Sequence, residues 1–185
     1  MSDDSNPRRT TTVKFPLAWI PLPIRMFFYA AGFLGLVLGG LPWAFYQLDV
    51  RLPVVHVEIG RLRVVGAALF VISLSLYLAA SYVLTSRGKG AFVEFDPPTE
   101  LVVAGPYQYV RNPVVAFLLG TMLGEAISLS STGVLLMFFC FLVLAHRQVT
   151  RLEEPLLRRR FGRAYDDYCA HVPRWIPRRT RWRAS

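Results

Sequence analysis

Long stretches without a charged residue constrain this chain more than any other feature. Val64 to Leu84 runs 21 positions without one, residues 26–48 are likewise uncharged, and between Val114 and Ala145 the only charge is Glu125. A bilayer core is crossed by about 20 residues of helix, and lipid tolerates only spans whose backbone groups bond internally. The pattern therefore predicts an all-α fold, a polytopic membrane helical bundle. The 114–145 block would extend about 48 Å as one helix, too long for an upright span. Ser128 to Gly133 offers a turn within it, so the bundle has about four spans, the last two forming a hairpin. Helices are expected over about 24–47 and 62–85, then two in the 114–145 block, the second leaving the bilayer and ending near 160. A short tail helix follows near 162–170, and Pro173 and Pro177 end regular structure.

The chain has the length of one domain. Residues 1–23 form a polar segment and an interfacial approach marked by Pro16, Trp19, Pro21 and Pro23, and 24–85 hold two spans. A connector, the hairpin and a helical tail occupy 86–177, and 178–185 is a basic end. The stretch 26–48 is longer than a leader's apolar core and contains Pro42 and Trp43, so it reads as a span rather than a cleaved signal. Gly32, Gly35, Gly39 and Gly40 offer a small-residue face for close helix contact, and Gly120 and Gly124 a second one suited to the hairpin. No strand precedes the first run, which excludes a dinucleotide loop.

Charge orients the bundle. Of the formal net charge of +9, the tail from Arg147 onward holds +7. Lys and Arg near span ends mark the cytoplasmic side. Four spans put the N-terminus, the 86–111 connector and the tail there together, with Arg51, Arg61 and Arg63 opposite. A basic tail beside a span fits anionic membrane lipid, and no nucleic-acid partner is expected. Cys140 and Cys169 imply no disulfide framework. His56, His146 and His171 lack ligand-like spacing, so no metal is expected. The oligomeric state is not legible.

Two signatures bracket the hairpin. The first reads Gly105-Pro106-Tyr107-Gln108-Tyr109-Val110-Arg111-Asn112-Pro113. The second runs from Glu153-Glu154 through Phe161-Gly162 and Tyr165-Asp166-Asp167-Tyr168 to Val172-Pro173-Arg174-Trp175-Ile176-Pro177. Both fall on the cytoplasmic side in the expected topology. Over about 99–177 the arrangement resembles the membrane-embedded methyltransferases typified by isoprenylcysteine carboxyl methyltransferase and the bacterial phospholipid methyltransferases. The resemblance implies an integral-membrane enzyme using S-adenosylmethionine on a lipophilic small-molecule acceptor: a prenylated carboxylate, a phospholipid amine or another hydrophobic molecule. The expected location is a bacterial inner or plasma membrane, with both termini placed in the cytoplasm by the Lys and Arg distribution.

Carried over by position, Leu101 and Val102 would offer backbone contacts to the cofactor. Tyr107, Asn112, Pro113, Val114 and Val115 would line its pocket, and Glu153 would hold its ribose or amino-acid end. This chain has Asn112 where the family often has His, Val115 where it often has Tyr, and Phe117 where Gly is usual, which reshapes the pocket. Methyl transfer from a sulfonium needs in-line approach and exclusion of water. Aromatic faces such as Tyr107 and Tyr109 suit a cationic sulfonium. A guanidinium can grip an anionic acceptor, with Arg111, Arg147 and Arg151 as candidates. Arg147, Arg151 and Glu154, at i, i+4 and i+7, would share one helix face.

Plainer readings exist for the same residues. Arg147 and Arg151 suit a membrane boundary, Gly105-Pro106 a turn, the Glu153-Glu154 pair a solvated helix surface, and Tyr165 and Tyr168 tail packing. Glu125 stands apart as an ionisable group within a span, or as one reaching the far interface. Two alternative functions remain: an NADPH-dependent sterol-type reductase using Arg158-Arg159-Arg160 for the adenosine phosphate, and a non-catalytic relative serving as a membrane scaffold.

Overall fold

The computed structural model describes residues 21–51, 59–88 and 99–183, and every regular element among them is a helix. The expectations for Pro16 and Trp19, for His56, and for the connector's Gly90, Pro97 and Pro98 lie outside the described residues. Among the described residues, three helical rods are long and apolar enough to cross a membrane: Phe27–Arg51, Leu62–Gly88 and Thr132–Phe161, of 25, 27 and 30 residues. The fourth expected span is the apolar helix Pro113–Leu129, whose 17 residues reach about 26 Å, the short limit for a crossing.

The first rod is α1 (Leu22–Gly35), a π-helical turn (Leu36–Gly40) and α2 (Leu41–Arg51). Leu62–Gly88 is α3 and Pro113–Leu129 is α4. The last rod is α5 (Thr132–Gln148), a second π turn (Val149–Glu153) and α6 (Glu154–Phe161), and α7 (Arg163–His171) follows. Each π turn ends two residues before a proline, Pro42 and Pro155. Proline brings no N–H and its ring crowds the carbonyl four residues back. The wider turn absorbs that crowding, so both rods continue instead of breaking. The first span, expected to end near residue 47, runs on to Arg51, and α2 buries Asp49.

α4 is the central helix, packed on α3 along one face and on α5 along another, while α5 also packs on α2. The α3 contact is close because small residues line it. A methyl group at Gly66 would stand 2.6 Å from the Ile127 side chain, and one at Gly120 would stand 2.7 Å from the Ser73 hydroxyl. At Gly124 it would collide with the backbone of Phe70. The Gly120/Gly124 pair thus serves α3, where the sequence reading assigned it to the hairpin. Helices in lipid associate through such backbone approach, there being no hydrophobic drive between apolar surfaces. A side chain at Gly32, Gly35 or Gly39 would meet nothing within 4 Å among the described residues. The first glycine face is therefore not used for packing there. On the other side of α4, Val37, Leu119, Met122, Ala126, Val134, Met137 and Phe138 form the apolar core.

The hairpin turn is held from the first rod. Ser130 adopts a left-handed conformation (φ 51°) to end α4, and Ser131 caps α5 by accepting from the Val134 N–H at 3.1 Å. Ser131 also donates to Asp49 at 2.5 Å, and the Gly133 N–H donates to the same carboxylate at 2.9 Å. A side chain at Gly133 would strike Asp49 Oδ1 and the Phe45 carbonyl. A buried carboxylate on the positive end of α5 satisfies N–H groups that would otherwise be orphaned.

Gly124→Leu is expected to lower stability by about 1–3 kcal/mol through overpacking, read as a lower thermal midpoint in detergent. Gly35→Leu in the same assay should leave the midpoint unchanged. Asp49→Ala should cost about 1–2 kcal/mol from the lost cap and the stranded donors.

Candidate functional site

The site is built where the connector, the start of α4, the end of the last rod and the tail converge. Thr99 and Glu100 return to the C-terminal end of α3, their N–H groups donating to the Gly88 carbonyl at 2.7 and 3.2 Å. The first signature then turns through a short 3-10 segment, Gly105–Gln108. Gly105 adopts φ 56° there, a conformation that favours glycine, and lies against Val83 of α3. Asn112 stands at the N-cap of α4, and Pro113 is its buried first residue, where a missing N–H costs nothing.

The tail lies against this turn and is fastened by backbone hydrogen bonds. Arg111 N–H donates to the Pro173 carbonyl (2.9 Å), Arg178 N–H to Tyr109 (3.0 Å) and Trp182 N–H to Gln108 (3.1 Å). Asn112 Nδ2 donates to the Arg174 carbonyl at 3.3 Å, and the Tyr168 hydroxyl to the Tyr107 carbonyl at 2.6 Å. Tyr165, Tyr168 and Val172 form a second small core, on which Leu101, Val103, Leu157, Phe161 and Trp182 pack. Tyr165 and Tyr168 thus pack the tail, in line with the plainer reading of them. Burial holds the phenols of Tyr107 and Tyr168 well above their usual range, so both are neutral hydrogen-bonding groups.

The electrostatic centre is Glu154, 3% exposed. Arg174 grips it with two parallel bonds, Nε to Oε1 at 2.6 Å and Nη2 to Oε2 at 2.9 Å. Arg111 approaches the same carboxylate at 3.4 Å through Nη1, which also donates to the Cys169 sulfur at 2.6 Å. Paired on two sides, the buried charge is compensated. The Arg111 side chain is only 10% exposed, and its Nε meets no hydrogen-bond partner among the described residues.

The expected site residues fall into three groups. Arg111, Tyr107, Asn112 and Pro113 converge, with Glu153 half-buried at the end of the π turn, within electrostatic reach of the Tyr107 phenol. Glu153 also accepts from Gln148 at 3.3 Å. Leu101 lines a cavity of about 550 Å³ with Arg87, Glu100, Val103, Ala104, Ala164, Asp167 and Trp182, while Val102 is buried beside it. Val114 is half-buried, and Val115 packs against the apolar core. Its lack of a polar tip accords with that packing.

Arg147 and Arg151 are exposed, whereas Glu154 is buried. The shared helix face expected for these three does not form, because the π turn between them adds residues to one turn and rotates Glu154 inward. Arg147 instead borders an apolar groove of about 320 Å³ with Leu119, Leu142, Val143, His146 and Trp175. There Trp175 Nε1 donates to His146 Nδ1 at 3.2 Å. Sequence reasoning passed over Glu154 as an anchor and Arg174 as its partner. A proline right after the paired glutamates was the available signal for a change of register.

Fold and site together define a polytopic helical membrane protein whose two polar signatures close on one another at the end of the bundle. The family model for phospholipid methyltransferases matches residues 62–164, more than half of the chain. The protein belongs to the phospholipid methyltransferase family. The match begins at α3, so the first rod lies outside it. No curated protein and no solved structure matches the chain.

Arg174→Ala leaves Glu154 with Arg111 alone. Because Arg174 is one-third exposed, the expected loss is about 1–3 kcal/mol, below that of a fully buried pair. A fall in thermal midpoint with faster proteolysis of the tail would register it.

Proposed function

We propose that this protein is an S-adenosylmethionine-dependent methyltransferase acting on a lipophilic acceptor, with the donor held between the first signature and the end of the last rod. The carrying observation is the Arg111 guanidinium, nearly buried and fixed through Nη1, with Nε left without a partner among the described residues. A buried donor of that kind is costly unless something accepts from it, and a carboxylate or phosphate oxygen suits it. Arg111 in this role grips an anionic group, and Glu153 accepts from an ammonium or from ribose hydroxyls. Tyr107, Asn112, Pro113 and Val114 wall the pocket, with backbone contacts from Leu101 and Val102 at its edge. The donor supplies an activated methyl on sulfur. The protein's part is to orient it and keep water away.

The acceptor side follows from where the site sits. The apolar groove beside Arg147 reaches down between α4 and α5, so an amphiphile can place its chain against Leu119, Leu142 and Val143 with an anionic group at Arg147. Arg151, exposed one turn further on, serves the same surface. A four-span topology with connector and tail cytoplasmic, in an inner or plasma membrane, accords with the basic tail. The reductase alternative is less well supported: the matched family transfers methyl groups, and Arg158 of the proposed phosphate cluster is engaged by Asp166 at 2.9 Å.

Calorimetry with S-adenosylhomocysteine on the purified protein in detergent is the test. Binding is expected, with Glu153→Ala and Asn112→Ala each weakening it about tenfold or more, ~1.4 kcal/mol. A folded wild-type protein that binds neither this product nor S-adenosylmethionine would overturn the reading.

A further inference from the structure

The last rod is longer than a membrane interior requires. Its 30 residues extend about 45 Å, against about 30 Å for a hydrocarbon core and about 40–45 Å with the headgroup layers. With Thr132 at one edge of the core, the rod leaves the other edge near Leu152, and α6 stands at headgroup depth. The two sides of α6 differ. Buried Glu154, with Leu157 and Phe161 packed on the tail core, defines the inner side. At about 100° per residue, Leu156, Arg159 and Arg160 fall on the opposite side, and all three are exposed.

That outer side is not built for water alone. Leu152 is 57% exposed and Leu156, four positions on, 48% exposed, where a helix facing solvent carries polar residues. Two arginines follow within a turn, and neither pairs with a carboxylate among the described residues. The nearby acids are engaged elsewhere: Glu154 by Arg174 and Arg111, Asp166 by Arg158, and Asp167 beside His171. Arg160 lies over the ring of its neighbour Phe161 at 5.8 Å. In the same rod the exposed Leu142, Val143 and Leu144 precede this segment, so a lipid-covered surface leads directly into it. Leucines suit the boundary between acyl chains and headgroups, and a guanidinium just beyond them can meet a phosphate with two parallel bonds. Unpaired positive charge there favours anionic over zwitterionic headgroups.

We infer that Leu152, Leu156, Arg159 and Arg160 form an interaction surface for anionic phospholipid headgroups in the leaflet where the last rod emerges. The surface involves neither Arg147 nor its groove, and it does not rest on the methyltransferase reading. Lipid headgroups and Glu154 then occupy opposite sides of one short helix. The membrane holds its outer side while Arg111 and Arg174 hold its inner side.

The test uses the full chain in neutral detergent, incubated with equimolar phosphatidylglycerol and phosphatidylcholine, with the retained lipid counted by native mass spectrometry. Phosphatidylglycerol is expected to be retained about fivefold or more over phosphatidylcholine. Arg159→Gln combined with Arg160→Gln should lower that preference about threefold or more. Arg181→Gln combined with Arg183→Gln removes equal charge from exposed tail positions and should leave the preference within about twofold. Equal loss in both pairs would make net charge the cause and overturn the surface, as would a wild type without preference. Displacement of the lipid by inorganic phosphate at matched ionic strength would make the face a general anion site and overturn it too. Thermal midpoints in detergent check that the variants fold. Should the arginine pair lower the midpoint, Leu152→Ser combined with Leu156→Ser decides: reduced retention of phosphatidylglycerol supports the surface, and unchanged retention removes it.

Discussion

A carboxylate removed from water has to be neutralised and hydrogen-bonded or the fold loses more than it gains, and at Glu154 both requirements are met from a distance along the chain. Arg111 reaches it from the turn before α4 and Arg174 from the tail beyond α7. The three residues come from three segments with no local reason to meet. Satisfying one buried charge brings the connector turn, the last rod and the tail into a single body. The backbone bonds between 108–111 and 173–182 then follow as a strap across the same junction. Tyr168, donating to the Tyr107 carbonyl, closes it from beneath.

A second constraint acts inside the bundle. Gly66, Gly120 and Gly124 let α3 and α4 approach to backbone distance, and that approach fixes how far each helix extends past the other. It also sets the level of the first signature, whose Gly105 lies against Val83 of α3. At the opposite end Asp49 ties the first rod to the hairpin turn. The rod outside the family match is thus fastened by a polar contact as well as by the core around Val37.

Most of the helices were legible because their cause is local. Runs of uncharged residues demanded spans, and Ser128 to Gly133 marked the turn between α4 and α5. The site was half legible. Glu153 lies within electrostatic reach of the Tyr107 phenol, Asn112 and Pro113 open α4, and Arg111 is the one arginine of the three candidates that is not exposed. Glu154 leaves the face expected to carry Arg147 and Arg151 because the π turn over Val149–Glu153, two residues before Pro155, is wider than an α-helical turn of about 3.6 residues.

What the sequence determined by itself is what backbone and solvent decide residue by residue: an all-helical membrane protein, a hairpin near Ser130, and polar signatures held out of the lipid. Tertiary structure decided which glutamate is buried and which glycines are used. Those outcomes depend on contacts between segments tens of residues apart. Gly32 and Gly120 read alike in sequence, yet a methyl group at the first meets open space and one at the second meets Ser73. Burial and close approach belong to pairs of helices, and no single segment carries that information.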